Sequence, residues 1–206
     1  MSIEYHVAEL GIALNPDHPA HIAPPPRPTQ DRVLDIGCGA GQTLVAAYPD
    51  RTTFGIDIDP DALQFGKTHT KGIRFTCGRA EALPYADKQF DMVIARVSLA
   101  YTDMGASLKE IRRVLRDGGQ VWMVLHPFSI PWKQAKSSNW KGWIFFSYIV
   151  INSLLFELTQ KHFPFRGRYE SFQTARGISR ALTKAGFKAI AIQHGKGFVV
   201  TAEAGS

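Results

Sequence analysis

The strongest constraint on the fold is a glycine-rich turn within residues 33–44, VLDIGCGAGQTL. The apolar run at 33–36 is typical of a strand that is covered on both faces of a sheet. Gly37, Gly39 and Gly41 permit backbone angles that are closed to other residues, and they leave room for a ligand to approach the backbone. A helix after the turn would aim free N–H groups and a partial positive charge at that ligand. The stretch therefore predicts a strand–turn–helix unit with a ligand at the turn.

The spacing of the glycines indicates which ligand binds. A dinucleotide-binding turn has the pattern Gly-x-Gly-x-x-Gly, whereas here position 42 is Gln and the third glycine comes one residue early, at Gly41. Asp35 precedes the first glycine by two residues, and its carboxylate would repel a pyrophosphate but attract an ammonium group. S-adenosylmethionine (SAM) carries an amino group and a sulfonium and no phosphate. The pattern thus favours SAM and disfavours a nicotinamide-dependent oxidoreductase.

Composition sets the broad class. A chain of 206 residues with 45% hydrophobic and 20% charged residues is typical of one globular domain, here predicted over 1–206. Cys38 and Cys77 are too few for a disulfide framework, and no basic and apolar leader opens the chain. Both features predict a cytoplasmic location.

The charge pattern bears on the partners. The net charge is +6, but the basic residues are spread along the chain and form no module with aromatic residues. This predicts a small-molecule substrate rather than a nucleic acid. His18 and His21 lie three residues apart without accompanying cysteines or clustered acids, so no metal site is predicted.

Residues 35–41, DIGCGAG, resemble motif I of the class I SAM-dependent methyltransferases, of the type that act on small molecules. Four further segments resemble the family in the expected order: 55–60, 78–84, 90–93 and 115–119. The resemblance spans about residues 31–126. It implies a three-layer Rossmann-like α/β sandwich with a seven-stranded, mostly parallel sheet and an antiparallel last strand. It also implies methyl transfer from SAM.

The predicted cofactor site begins with Asp35, Gly37 and Gly39. Asp57 ends the second predicted strand, where doubly wound folds place an acid that binds ribose hydroxyls. Asp59, before a proline, is predicted to cap the next helix instead. By resemblance, Ile58 would pack on the adenine face.

Three more residues complete the predicted cofactor site by resemblance. Many family members have Asp at the position of Arg79, where it accepts from the adenine amino group. Arg cannot accept a hydrogen bond, so stacking by Arg79 or a backbone carbonyl would replace that contact. The amide of Ala80 would serve the edge of the adenine ring. Arg96, at the end of the fourth strand, would pair with the carboxylate of the methionine part. The alternative for Arg96 is an ion pair with a neighbouring helix.

The predicted catalytic residues are His126 and Tyr101. His126 follows the fifth predicted strand, 120–125, and so would face the cleft at the carboxyl end of the sheet. Tyr101 falls where family members carry a pocket residue. A general base is needed only if the acceptor must lose a proton. The alternative is that His126 is bonded within the pocket wall and has no chemical role.

A helical insertion is predicted at 128–170, after the fifth strand. Its apolar segment 143–156 has fourteen residues, fewer than the roughly twenty that span a bilayer. Three interpretations stay open: a lid over the substrate, a structural or dimer face, and a contact with a membrane surface. The membrane contact would be helped by Lys133, Lys136, Lys141 and Lys161.

The predicted substrate residues are Trp143 and Tyr169, with Arg166 and Arg168 as weaker candidates. An aromatic, apolar roof favours a small organic acceptor with apolar surface. The alternatives are a non-catalytic SAM-binding or dimerisation module, and a methyltransferase acting on a membrane lipid or quinone. The protein is predicted to be a monomer or a homodimer. The arm at 1–32 is expected to form a short helix or an extended segment, which in the family often caps the ligand.

Overall fold

The computed structural model describes residues 3–29, 31–165, 169–195 and 197–205. The strands are β1 Val33–Ile36, β2 Thr53–Asp57, β3 Ile73–Cys77, β4 Phe90–Arg96, β5 Leu115–Leu125, β6 Phe187–His194 and β7 Phe198–Ala204. The helices are α1 Ile3–Leu14, α2 Gln42–Ala47, α3 Pro60–His69, α4 Met104–Val114, α5 Ser129–Lys136, α6 Trp140–Thr159 and α7 Ala175–Lys184. A 3₁₀ turn, Leu99–Tyr101, follows β4.

The strands form one sheet in the order β3-β2-β1-β4-β5-β7-β6. Strands β1 to β5 are parallel, and β7 runs antiparallel to both β5 and β6. This confirms the predicted fold. The strand order reverses between β1 and β4, and open α/β sheets bind ligands at the carboxyl ends of strands at such a point.

The core lies on both faces of the sheet because most residues of the central strands are apolar. All four residues of β1 are buried. Leu34 and Ile36 pack in the larger cluster with residues of α4 and α7, whereas Val33 packs in a smaller cluster with Leu44 of α2 and Trp122 of β5. The sheet edge that carries the glycine turn is therefore anchored from both sides.

One local feature agrees with the sequence prediction and one does not. Asp59 caps α3 as predicted, since its side chain accepts from the N–H groups of Asp61 at 3.1 Å and Ala62 at 3.3 Å. The predicted start of β5 at residue 120 was wrong, because the strand begins at Leu115. Leu115 pairs with Phe90. The register then shifts at an irregularity in the pairing, and Gln120 pairs with Met92 of β4.

Helix α6 is longer than its apolar segment suggested. It begins after Asn139, whose side chain accepts from the N–H of Lys141 at 3.1 Å, and ends where Gln160 adopts a φ of 61°. With 20 residues it is long and apolar enough to cross a membrane, by length and composition alone. The prediction that the apolar segment is too short to span a bilayer was therefore wrong, because residues 140–142 and 157–159 belong to the same helix.

Candidate cofactor site and active site

The glycine turn forms a cradle at the carboxyl end of β1. Gly37, Gly39 and Gly41 have φ values of +71°, +53° and +86°, which disfavour any residue with a Cβ. A methyl group at Gly37 would collide with the side chain of Ser98 after β4. The Ser98 hydroxyl in turn donates to the Ile36 carbonyl at 2.6 Å. The turn is thus held against β4, and positions 37, 39 and 41 carry no Cβ.

Asp35 is a buried carboxyl group directly beneath this turn. It is 2% exposed, and its Oδ1 has no hydrogen-bond partner among the described residues. Burial raises its pKa to about 8, while Arg96 acts to lower the pKa and Asp57 to raise it. An isolated buried carboxylate is costly, so this group is suited to a cationic ligand that would supply the missing partner.

Asp57 links β2 to the glycine turn. Its Oδ2 accepts from the Gly39 N–H at 2.8 Å, and its Oδ1 accepts from the Asp59 N–H at 3.0 Å. Each carboxylate oxygen keeps a further lone pair, so Asp57 can still accept from hydroxyl groups. Ile58 follows it and is 68% exposed, which leaves an apolar surface beside the carboxylate. Ribose binding by Asp57 and adenine packing by Ile58 stay predictions.

Arg79 and Ala80 lie at the carboxyl end of β3. The Arg79 guanidinium forms an exposed ion pair with Glu81 at 3.3 Å, and Glu81 also accepts from the Asp103 N–H at 3.1 Å. Ala80 is buried. The structure therefore gives Arg79 a partner within its own loop, and the adenine contacts of both residues stay predictions.

Arg96 forms an ion pair with Glu9 of α1. This is the interaction with a neighbouring helix that the sequence left open as the alternative. Both side chains are about one-fifth exposed, at 21% and 20%. The pair fastens α1 to the end of β4, and pairing of Arg96 with the methionine carboxylate stays a prediction.

Helix α1 brings a residue to the site that sequence reasoning missed. His6 is 3% exposed and lies against Gly39, where an added Cβ would come within 3.3 Å of its ring. Its Nδ1 is 3.1 Å from the Gln42 amide nitrogen, and its buried Nε2 has no partner among the described residues. If the amide donates, Nε2 carries the proton and is a free donor at the turn. The spacing of His6 and Glu9 on one helix face was the available signal.

The two predicted catalytic residues, His126 and Tyr101, are neighbours in the structure. His126 follows β5, and Tyr101 ends the 3₁₀ turn after β4. Their rings meet edge to face with centroids 5.5 Å apart. Burial lowers the pKa of His126, so its imidazole is neutral at pH 7. Burial raises the pKa of Tyr101, with smaller contributions from Glu170 and Tyr5, so its phenol keeps its proton. The pair thus offers one proton acceptor and one donor, and their catalytic roles stay predictions.

Residues 170–173, here termed the crossing strip, run over the carboxyl ends of β4 and β5. The Ser171 N–H donates to Ala100 O at 3.3 Å, and the Gln173 N–H donates to His126 O at 3.0 Å. Two side chains of helix α6 form hydrogen bonds with the backbone of this strip. The amide of Asn152 donates to Glu170 O at 3.0 Å, and Ser153 Oγ accepts from the Phe172 N–H at 2.9 Å. The crossing strip therefore connects α6 to the carboxyl ends of β4 and β5.

The two predicted substrate residues lie in different parts of the structure. Tyr169 immediately precedes the crossing strip, half-buried, with its ring 6.4 Å from that of His162. Trp143 lies in an aromatic cluster between α5 and α6, 5.9 Å from Trp132 and 5.8 Å from Phe146. Substrate binding by Trp143 and Tyr169 stays a prediction, and Arg166 and Arg168 lie outside the described residues.

Metal-binding side chains do not cluster in the part of the chain that the structure describes, where no group of three or more His, Cys, Asp or Glu residues could hold an ion. His18 accepts at Nδ1 from the Ala20 N–H at 3.1 Å, and the His21 Nδ1 lies 3.2 Å from Ile12 O. The two histidines thus stabilise the loop after α1.

Comparison with known proteins decides the family. A family model described as a methyltransferase domain matches residues 34–123. Demethylmenaquinone methyltransferase of Lactococcus lactis is 31% identical over 184 residues, which cover 82% of this chain and 71% of that protein. The chain belongs to the class I SAM-dependent methyltransferase family.

Other family members show how far the likeness extends. Malonyl-[acyl-carrier protein] O-methyltransferase of Methylococcus capsulatus is 34% identical over 108 residues, which cover 49% of this chain and 38% of that protein. The chain therefore spans less than half the length of this relative. A SAM-dependent methyltransferase of Methanosarcina mazei has a similar solved structure, with a TM-score of 0.60 and 21% identity over 89% of this chain and 99% of that one. At this identity the structural likeness shows the fold alone.

Proposed function

We propose that this methyltransferase-family chain transfers a methyl group from SAM to a small, partly apolar organic acceptor. The observation that carries the proposal is the buried Asp35 carboxyl, which has an unpartnered oxygen beside the glycine-rich turn. SAM brings an ammonium group to pair with a carboxylate and no phosphate to be repelled by it. The neighbouring Asp57 carboxylate supports the proposal because it can accept from hydroxyl groups of the ribose.

SAM when bound supplies a methyl group on a sulfonium, which is already a good leaving group. The protein then mainly has to hold the acceptor in line with that methyl group and exclude water. Three groups are placed for this work: Asp35 and Asp57 would orient the cofactor, and α1 would cover the turn through His6. The ion pair of Glu9 with Arg96 holds α1 in that position.

The acceptor side of the cleft is formed by Tyr101, His126 and the crossing strip. A neutral His126 would take a proton from an acceptor that must lose one, and Tyr101 would donate a hydrogen bond. The aromatic residues that adjoin the strip favour an acceptor with apolar surface: Phe128 stacks edge to face on Phe172 at 5.2 Å. The name of one relative, demethylmenaquinone methyltransferase, supports an acceptor of this kind.

The proposal is tested first by calorimetric titration of the purified chain with SAM, with its demethylated product and with NAD. We expect saturable binding of the first two that is lost in Asp57→Ala and kept in Asp61→Ala, a matched change at an exposed aspartate of the same region. Saturable binding of NAD without binding of SAM would overturn the proposal.

Turnover is tested next with a panel of quinone, phenol and carboxylic-acid acceptors, by following the demethylated product. Production with at least one apolar acceptor is expected. Binding of SAM without turnover of any acceptor would favour the alternative, a non-catalytic SAM-binding module.

A further inference from the structure

The buried side of helix α6 combines core residues such as Ile149 and Phe156 with two polar side chains. These are Asn152 and Ser153, which are 0% and 4% exposed. Asn152 donates to Glu170 O and accepts from the Phe163 N–H, each at 3.0 Å. Ser153 accepts from Phe172 N–H. The two buried polar side chains of the helix therefore have hydrogen-bond partners within the protein.

The opposite side of α6 is apolar and exposed. Its residues recur every three or four positions, as one helix face requires, and they are here called the outer face: Trp140, Ile144, Ser147, Ile151, Leu154 and Leu158. The five apolar members are 55–71% exposed. The face runs for about 27 Å at 1.5 Å per residue. A continuous apolar surface of this extent marks an interaction site.

The charged side chains of α5 and of the start of α6 have one sign. No acidic residue occurs between Asp117 and Glu157, whereas the segment carries three exposed lysines, Lys133, Lys136 and Lys141. Lys161 follows the helix and is also exposed. Glu157 does not face outward, because its carboxylate accepts from the Thr174 hydroxyl at the start of α7. A partner of this surface must therefore be apolar in part and negatively charged at its rim.

Two tryptophans connect the lysines to the apolar surface. The Lys136 ammonium lies 5.2 Å from the centre of the Trp132 ring, and the Lys141 ammonium lies 5.8 Å from that of Trp140. Trp132 and Trp140 are 37% and 68% exposed. Exposed tryptophans beside lysines, at the border of an apolar helix face, are the composition of helices that lie in the interface of a bilayer.

The same observations distinguish the possible occupants. A second copy of the chain would pair the outer face with itself and bring the lysines of both copies together, whereas an anionic surface would neutralise them. A bilayer-spanning α6 would have to leave the protein and break the hydrogen bonds of Asn152 and Ser153. We propose that the outer face of α6 docks the protein on an anionic bilayer, with the helix lying in the plane of the membrane surface.

The test is binding of the full chain to vesicles without SAM, so that its failure is independent of the proposed methyl transfer. Vesicles of phosphatidylcholine alone are compared with vesicles that also contain phosphatidylserine, by co-sedimentation and tryptophan fluorescence. We expect sedimentation and a blue shift with the phosphatidylserine vesicles. Because each lysine near an anionic surface contributes about a fivefold change in affinity, Lys133→Glu with Lys141→Glu should weaken binding at least about tenfold.

The outer face itself is tested with Ile151→Asp and Leu158→Asp together, which should abolish binding. These side chains are 57% and 71% exposed, so folding should be preserved, as circular dichroism and the melting temperature will show. Val7→Asp with Leu14→Asp on α1 is the matched control, since those side chains are 55% and 56% exposed. Lys67→Glu with Lys71→Glu controls for net charge. Both control proteins should bind vesicles as the unchanged protein does.

Three results would overturn the proposal. The first is equal binding to neutral and anionic vesicles, and the second is unchanged binding by the Ile151→Asp, Leu158→Asp protein. The third is a stable dimer by sedimentation velocity that the same pair of substitutions converts to a monomer, because a second copy would then cover the outer face.

Discussion

Replacing Asp35 by asparagine removes the titratable carboxyl group beneath the glycine turn and keeps the shape of the side chain. Burial holds the pKa of this carboxyl at about 8 rather than 3.8. The folded protein therefore holds the proton more tightly than the unfolded chain does. The resulting stability is fully present below about pH 4 and is lost as the pH rises through 8. The difference between the two pKa values corresponds to about 6 kcal/mol in the free energy of unfolding.

The assay is chemical denaturation of the unchanged protein and of Asp35→Asn at pH 5, 7 and 9. Between pH 5 and 7 this one group should lower the stability of the unchanged protein by about 1.4 kcal/mol per pH unit, relative to Asp35→Asn. The difference should level off above pH 8. Parallel pH profiles for the two proteins would refute the assignment of a raised pKa to Asp35.

The same carboxyl links proton release to binding. At pH 7 a group with a pKa near 8 is about nine-tenths protonated, and pairing with an ammonium group requires the ionised form. Calorimetry in two buffers of different ionisation enthalpy should therefore show release of about 0.9 proton when SAM binds at pH 7. 5′-Methylthioadenosine, which lacks the amino-acid part, is the control and should release none. Equal proton release with SAM and with 5′-methylthioadenosine would refute the reasoning. Unchanged proton release when SAM binds to the Asp35→Asn protein would refute it as well.

Three further changes follow from the described contacts. Gly37→Ala should abolish SAM binding measured by calorimetry, because its Cβ would meet Ser98 and its φ of +71° is strained for alanine. His126→Asn should lower kcat about 10²-fold or more for acceptors that lose a proton and leave kcat unchanged for those that do not. Since burial lowers the pKa of His126, activity with the former should persist below pH 6.5. Glu9→Gln should speed hydrogen exchange in α1 about fivefold, as expected for loss of about 1 kcal/mol from the partly buried ion pair with Arg96. Unchanged exchange would mean that the pair does not hold the helix.

The sheet and the glycine turn could be predicted because their signals are local. The apolar run at 33–36, the three glycines and the cap at Asp59 each depend on a few neighbouring residues, and the structure contains all of them. The start of β5 could not be predicted in this way. Leu115 joins the strand by pairing with Phe90, a residue distant in sequence, and the intervening bulge has no apolar alternation to reveal it.

The contribution of α1 was missed for a different reason. Its apolar residues left a helix and an extended arm equally open, so the side chains that face the core could not be assigned. Only tertiary contacts place His6 beside Gly39 and Glu9 beside Arg96. The apolar run at 143–156 understated the length of α6, because residues 140–142 and 157–159 continue the same helix on either side of it.

The hydrogen bonds that tie α6 to the crossing strip make the two segments one mechanical unit. Asn152 and Ser153 form hydrogen bonds with the backbone of Glu170 and Phe172. The Gln173 N–H of the same strip donates to His126 O. A rotation of α6 about its own axis cannot occur without pulling this backbone, because breaking the buried bonds is costly. A displacement of the outer surface of the helix would therefore reach the backbone of His126 through two successive hydrogen bonds, Ser153 to Phe172 and Gln173 to His126.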